Sequence, residues 1–139
     1  MPGHTAGHIA YFAEPEGQEP LLFCGDTLFA GGCGRVFEGN PPMMYQSLQS
    51  LAQLPAATQV YCAHEYTLDN ARFAIHIDPD NVDLQERIKH IRGRRAEGLP
   101  TVPFSLGLEK RTNPFLRSDD PVIAERIGMA NQPAAAVFG

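Results

Sequence analysis

The chain has 139 residues, enough for one domain or one piece of a larger one. Its 43% hydrophobic and 19% charged composition excludes intrinsic disorder, and no apolar run approaches the ~20 residues of a membrane-spanning helix. A formal net charge of -5 argues against a broad basic surface for nucleic acid, while leaving room for a local basic pocket and an anionic small molecule.

The first third reads as strands and loops. His8 to Ala13 carries Tyr11 and Phe12 in loose alternation, a strand pattern. EPEGQEP is a turn. Leu21-Leu22-Phe23-Cys24 is a short continuous apolar run, suited to a strand buried on both faces. GDTLFAGGCGRVFEGNPP comes next as a long Gly-rich loop, and long loops inside compact domains tend to be functional. Pro41 and Pro42 suit the first turn of a helix whose stripe runs through Met44, Leu48, Leu51 and Leu54 until Pro55 stops it. Gln59 to Ala63 is the third apolar strand. Thr67 is expected to cap a helix reaching about Ile77. Strand, Gly-rich loop, helix, strand and helix in that order make an α/β layer.

From Asp78 the composition shifts. Leu84, Ile88 and Ile91 form a helical stripe in a charge-rich segment, with Gly93 and Gly98-Leu99-Pro100 expected to end it. Pro103 and Asn113-Pro114 punctuate the next stretch, and Asp120-Pro121 begins a helix carrying Ile123 and Ile127. The division is therefore 1–77, an α/β part, and 78–139, a mostly helical appendage. PGHTAGH at the very start and PAAAVFG at the very end both read as cut from something longer. The basic run of Lys89, Arg92, Arg94 and Arg95 lies near a helix end, where it favours the dipole and solvent. Arg111 and Arg117 flank NPFL and are expected to tie the appendage to the α/β layer.

Three element boundaries carry His or Asp beside small residues: His4 in PGHTAGH, Asp26 in CGDTLF and His64 in YCAHEY. Open α/β sheets present their ligands at strand ends. Two imidazoles and a carboxylate suit Zn, Mn or Fe. Each residue alone reads more readily as a hydrogen-bonding loop residue, turn or cap; only the three together, each at an element boundary, give a ligand role equal standing. Cys24, Cys33 and Cys62 form no C-x-x-C pair, so they support neither a zinc ribbon nor a disulfide framework; they fit reduced thiols used in packing.

PGHTAGH, GDTLFAGGCGR, AHEYT and TNPFLR, in that order, resemble glyoxalase II, the hydroxyacylglutathione hydrolases of the metallo-β-lactamase superfamily. The resemblance implies an α/β fold: the second half of an αββα sandwich over 1–77, followed by a small helical glutathione-substrate domain over 78–139 that is truncated at its C-terminus. It implies a cytoplasmic thioester hydrolase that cleaves S-D-lactoylglutathione to glutathione and D-lactate in methylglyoxal detoxification. Two divalent metal ions, zinc above iron or manganese, would serve it. His4 resembles a ligand of the first metal, Asp26 the bridging carboxylate and His64 a ligand of the second. His8 resembles a structural neighbour. Arg35, Phe37 and Tyr66 match substrate-binding positions, with Arg35 shaped for a carboxylate. The remaining metal ligands belong to an upstream Thr-His-x-His-x-Asp-His motif that this sequence does not contain. A missing N-terminal half, or self-association, is thus the partner the resemblance implies, beside the small thioester; it implies neither nucleic acid nor membrane. Persulfide dioxygenases share the fold and a GCGR-like loop with a single iron, but lack the TVP…NPFLR tail. A non-enzymatic truncated product is the other alternative.

Overall fold

The computed structural model describes residues 5, 7–36, 38–129 and 138. Four strands form the main sheet in the order β1 (Tyr11–Ala13), β2 (Leu21–Gly25), β5 (Gln59–Cys62), β6 (Phe104–Ser105). Between β2 and β5 come a small hairpin, β3 (Leu28–Phe29) with β4 (Gly32–Cys33), and helix α1 (Pro41–Ala52). After β5 come α2 (Thr67–Ile77), α3 (Val82–Ala96), then β6, α4 (Leu106–Thr112), a 3-10 turn over Pro114–Leu116, and α5 (Pro121–Arg126).

The helix α1 begins as its sequence demands. The Asn40 side chain accepts from the Met43 N–H at 3.0 Å, and Pro41 sits where no amide donor is needed. Its stripe of Met44, Leu48 and Leu51 is buried against Leu22 and Cys24 of β2, Val60 of β5, Phe104 of β6 and Leu106. Leu22, Val60 and Phe104 lie opposite one another across three strands, so a single row of side chains forms the floor of this core. Burial of such side chains stabilises the fold by roughly 1.5–3 kcal/mol each.

The other face of the sheet is different. Tyr11, Phe23 and Tyr61 also lie opposite one another, and the Phe23 and Tyr61 rings stack with centroids 5.0 Å apart. Phe23 is 44% exposed and Tyr61 36%. The apolar run 21–24 is thus buried on one face only, because no described element covers the second.

Several local expectations are corrected. The Gly-rich loop after β2 is not all loop, since it folds back as the β3–β4 hairpin. Thr67 does not cap α2; Tyr66 occupies that position without a side-chain bond, and the buried Thr67 hydroxyl instead lies 2.5 Å from that of Thr101. Gly93 does not end α3, which runs through it at a cost of ~1 kcal/mol relative to alanine. The helix stops at Gly98, φ 71°, where the Leu99 N–H donates to the Arg94 carbonyl at 2.8 Å and the Gly98 N–H to that of Arg95 at 3.1 Å. The segment after 78 is mostly helical, and it also adds one strand to the main sheet, where β6 pairs antiparallel with β5. Arg111 and Arg117 also act elsewhere than expected. Arg117 pairs with Asp78 and Asp120, and Arg111 lies 3.5 Å from Asp83, all within the appendage.

Candidate active site

Strands β2 and β5 are neighbours and parallel, joined through α1, so their C-terminal ends emerge side by side. The Ala63 N–H donates to the Gly25 carbonyl at 3.0 Å and locks the two ends together. Just beyond these ends lie Asp26 and His64. Their side chains meet, with His64 Nε2 3.1 Å from Asp26 Oδ1, both partly open to solvent. Two sequence signals 38 positions apart therefore converge because the strands that deliver them are adjacent and run the same way.

The turn between β2 and Asp26 is tight. Register slips by one residue between Phe23 and Gly25, a bulge that leaves Cys24 without an opposite residue on β5. Gly25 has φ 55°, and a Cβ there would stand 2.7 Å from the His8 ring. His8 Nε2 lies 3.0 Å from the Cys24 carbonyl oxygen and 3.3 Å from the Asp26 amide nitrogen. One tautomer donates to the first and the other accepts from the second. The second His of PGHTAGH is thus a brace for the backbone that carries Asp26.

His64 is framed by aromatic rings. Tyr66 stacks on it with centroids 4.8 Å apart, and Phe29 of β3 meets the edge of Tyr66 at 5.2 Å. Beyond them the β4 end continues through Gly34 to Arg35. Asp26, Phe29, Cys33, Gly34, Arg35, His64, Tyr66 and Asn70 line a cleft of about 490 Å³. Asp26, Arg35, His64 and Tyr66, four of the residues singled out in the sequence, therefore share one cavity. His4 and Phe37 lie outside the described residues.

Next to His64, Glu65 points away from the cleft. Burial works to raise its pKa, but hydrogen bonds from the backbone and side chain of Thr101 hold it below the ordinary carboxylate value. Burial pushes the Cys24 and Cys33 thiols up to about 12, and the Cys62 thiol up as well. All three are free and stay protonated near neutrality, so none supplies a thiolate nucleophile or ligand in this environment.

The cleft is held by residues that the sequence did not single out. Asn70 of α2 donates to the Ala30 carbonyl at 3.2 Å. Asn113 donates to the Gly32 carbonyl at 3.0 Å, and Glu109 accepts from the Gly31 N–H at 3.0 Å. Arg87 of α3 forms an ion pair with Glu109, both essentially buried. The available signal was the odd placement of a Glu and an Asn at i, i+4 on a short helix end with apolar neighbours.

A family model described as "Hydroxyacylglutathione hydrolase C-terminus" matches residues 65–139. The chain belongs to the hydroxyacylglutathione hydrolase family. Proteins named hydroxyacylglutathione hydrolase are 57% identical in Synechocystis sp., over 100% of this chain and 54% of the relative, and 52% identical in Gloeothece citriformis, with the same coverage. One from Maricaulis maris is 55% identical over 99% of the chain and 52% of the relative. The chain thus spans about half the length of these hydrolases. A crystal structure of a metallo-β-lactamase from Staphylococcus aureus superposes with a TM-score of 0.54 at 24% identity, covering 99% of this chain and 35% of that one. That likeness assigns the fold: a mixed α/β segment of the metallo-β-lactamase architecture.

Proposed function

We propose that this chain carries the Asp26–His64 side of a metal-dependent thioester hydrolase acting on S-2-hydroxyacylglutathione, S-D-lactoylglutathione above others. The products in this reading are glutathione and D-lactate, and the reaction belongs to methylglyoxal detoxification in the cytoplasm. In this reading residues 1–77 belong to the catalytic layer and 78–139 to the substrate domain. The observation that carries it is the meeting of a carboxylate and an imidazole at 3.1 Å in a cleft that also contains Arg35 and Tyr66.

The donor chemistry fits a divalent metal in kind. A carboxylate oxygen and an imidazole nitrogen are ligands for zinc, iron or manganese. It falls short in number, because no group of three or more potential ligands occurs among the described residues. His4, and ligands from a preceding half, would complete the set. Asp26 would be the carboxylate shared by two ions, and His64 would be a ligand of one. Bound metal would supply a water of lowered pKa and polarise the thioester carbonyl.

The remaining work falls to the chain's own side chains. His64 is fixed in orientation by the stacked Tyr66 ring. Arg35 offers a planar fork to a carboxylate of the glutathione moiety. Phe37 and Tyr66 are assigned to the substrate's peptide portion. No serine or cysteine nucleophile is required, since bound metal would supply water as the nucleophile and the thiolate is a good leaving group.

The test is made on the segment joined to the N-terminal half of the Synechocystis relative. Asp26→Ala is expected to lose both metals by elemental analysis. Arg35→Ala is expected to keep them and to raise KM with kcat little changed, because its contacts are common to ground and transition states. Retention of two metals by the Asp26→Ala protein would overturn the assignment.

A further inference from the structure

We infer that Glu109, held by Arg87 and joined by Asn113, is a positioning residue for the cleft, acting through the β3–β4 hairpin. The inference rests on the hydrolase reading for its kinetic consequence, though not for its geometry.

The hairpin has two residues per strand, closed by the Phe29–Gly32 turn. A two-stranded pair of that size does not hold itself in water. Yet it sets two parts of the cleft at once. Phe29 buttresses the Tyr66 and His64 rings, and Cys33-Gly34 leads directly to Arg35. Its placement must come from outside.

The clamp supplies it through backbone atoms. Glu109 Oε2 accepts from the Gly31 N–H at 3.0 Å and from the Asn113 side-chain amide at 2.9 Å. The same Asn113 amide donates to the Gly32 carbonyl at 3.0 Å and reaches that of Phe29 at 3.4 Å. Glu109 and Asn113 are both fully buried. A carboxylate there needs a buried cation, and Arg87 provides it. Arg87 also donates to the Thr112 hydroxyl at 2.7 Å and sits over the Phe104 ring. Buried ion pairs add little stability compared with apolar residues of equal volume. The pair is better explained by what its carboxylate does, which is to hold a turn in the wall of the cleft. The helical appendage thereby sets the geometry of the α/β layer's site, through Glu109 and Asn113 rather than through Arg111 or Arg117.

A matched pair of variants separates positioning from stability. Arg87→Met/Glu109→Met replaces the ion pair with apolar bulk and removes the acceptor from Gly31. Arg87→Met/Glu109→Gln also lacks the ion pair but keeps an acceptor. In the segment joined to the Synechocystis N-terminal half, the Met/Met protein is expected to lose tenfold or more in kcat on S-D-lactoylglutathione. Its KM should rise as well, because the same hairpin leads to Arg35. The Met/Gln protein should recover most of that loss, with no matching recovery in urea midpoint. Hydrogen exchange of the Gly31 amide should quicken tenfold or more in Met/Met only. In the unaltered 139-residue chain that amide should exchange as slowly as those of β2. Fast exchange of Gly31 in the unaltered chain would overturn the clamp, even if neither variant folds. Equal kinetics in the two variants, or kinetics that track urea stability alone, would overturn the positioning role. Absence of any turnover in the unaltered joined protein would count against the hydrolase reading, while the exchange result still decides the clamp.

Discussion

Replacing Gly25 with alanine probes how the Asp26 turn is built. At φ 55° an L side chain is strained, which costs about 1 kcal/mol. The new Cβ would also sit 2.7 Å from His8 Cε1 and Nε2. The ring is the far end of a side chain, so it swings away instead of forcing the backbone. Doing so breaks its bond to Cys24 or Asp26, a further loss of about 1 kcal/mol. The total is about 2 kcal/mol, or about 1 M in urea midpoint for a slope near 2 kcal/mol/M. Gly17→Ala is the control. Its φ of 73° is equally strained, but nothing lies within 4 Å of the added Cβ, so it should cost about half as much. In a His8→Ala background the second contribution should vanish and leave Gly25→Ala near the control. Urea unfolding of the four proteins of the Gly25/His8 cycle, with Gly17→Ala as a fifth, at one low micromolar concentration measures this. Equal costs at Gly25 and Gly17, or an undiminished Gly25 cost without His8, would refute the brace.

Burial leads to two other outcomes. The Tyr11–Phe23–Tyr61 row leaves an aromatic face uncovered, so the isolated chain should self-associate at micromolar concentration. Phe23→Lys with Tyr61→Lys should shift it toward monomer in light scattering with unchanged far-UV circular dichroism; an unaltered mass distribution would show that another surface drives association. Burial also raises the Cys24 thiol to about 12, against 9.0 for an exposed thiol. Between those values the unfolded chain gives up a proton that the folded chain keeps, so stability should fall as pH rises from about 9 to about 12 and be unaffected below that window. Cys24→Ala should flatten part of this alkaline decline in urea midpoints, and Cys24 should resist a thiol reagent at pH 8 until the chain unfolds. Prompt labelling of Cys24 in the folded chain would contradict the burial argument.

What could be read from the sequence divides along physical lines. The α1 stripe was legible because Met44, Leu48 and Leu51 recur at helical spacing between a proline start and a proline stop. Asp26 and His64 were visible as strand-end residues; their meeting required the parallel pairing of β2 with β5, which is non-local. The hairpin was hidden in its glycines, since strands of two residues carry no periodicity. Thr67 looked like a cap because caps are local, but a tertiary partner, Thr101, claimed its hydroxyl. Glu109, Arg87 and Asn113 were missed for the same reason. Charged and polar residues on helices read as solvated, and only the fold reveals that Glu109 is buried against Gly31. Arg111 and Arg117 drew attention by flanking a recognisable motif, yet they face the acidic residues of their own segment.

Under the proposed function this chain contributes the Asp26–His64 half of a thioester-hydrolysing metal site. Initial-rate hydrolysis of S-D-lactoylglutathione, with zinc supplied, tests it most directly when the isolated chain is compared with the segment joined to the Synechocystis N-terminal half. Steady turnover in the joined protein, abolished by Asp26→Ala, and no more than trace turnover in the isolated chain is the expected result. Turnover by the isolated chain equal to that of the joined protein, or a folded, zinc-loaded joined protein that leaves the thioester intact, would contradict it.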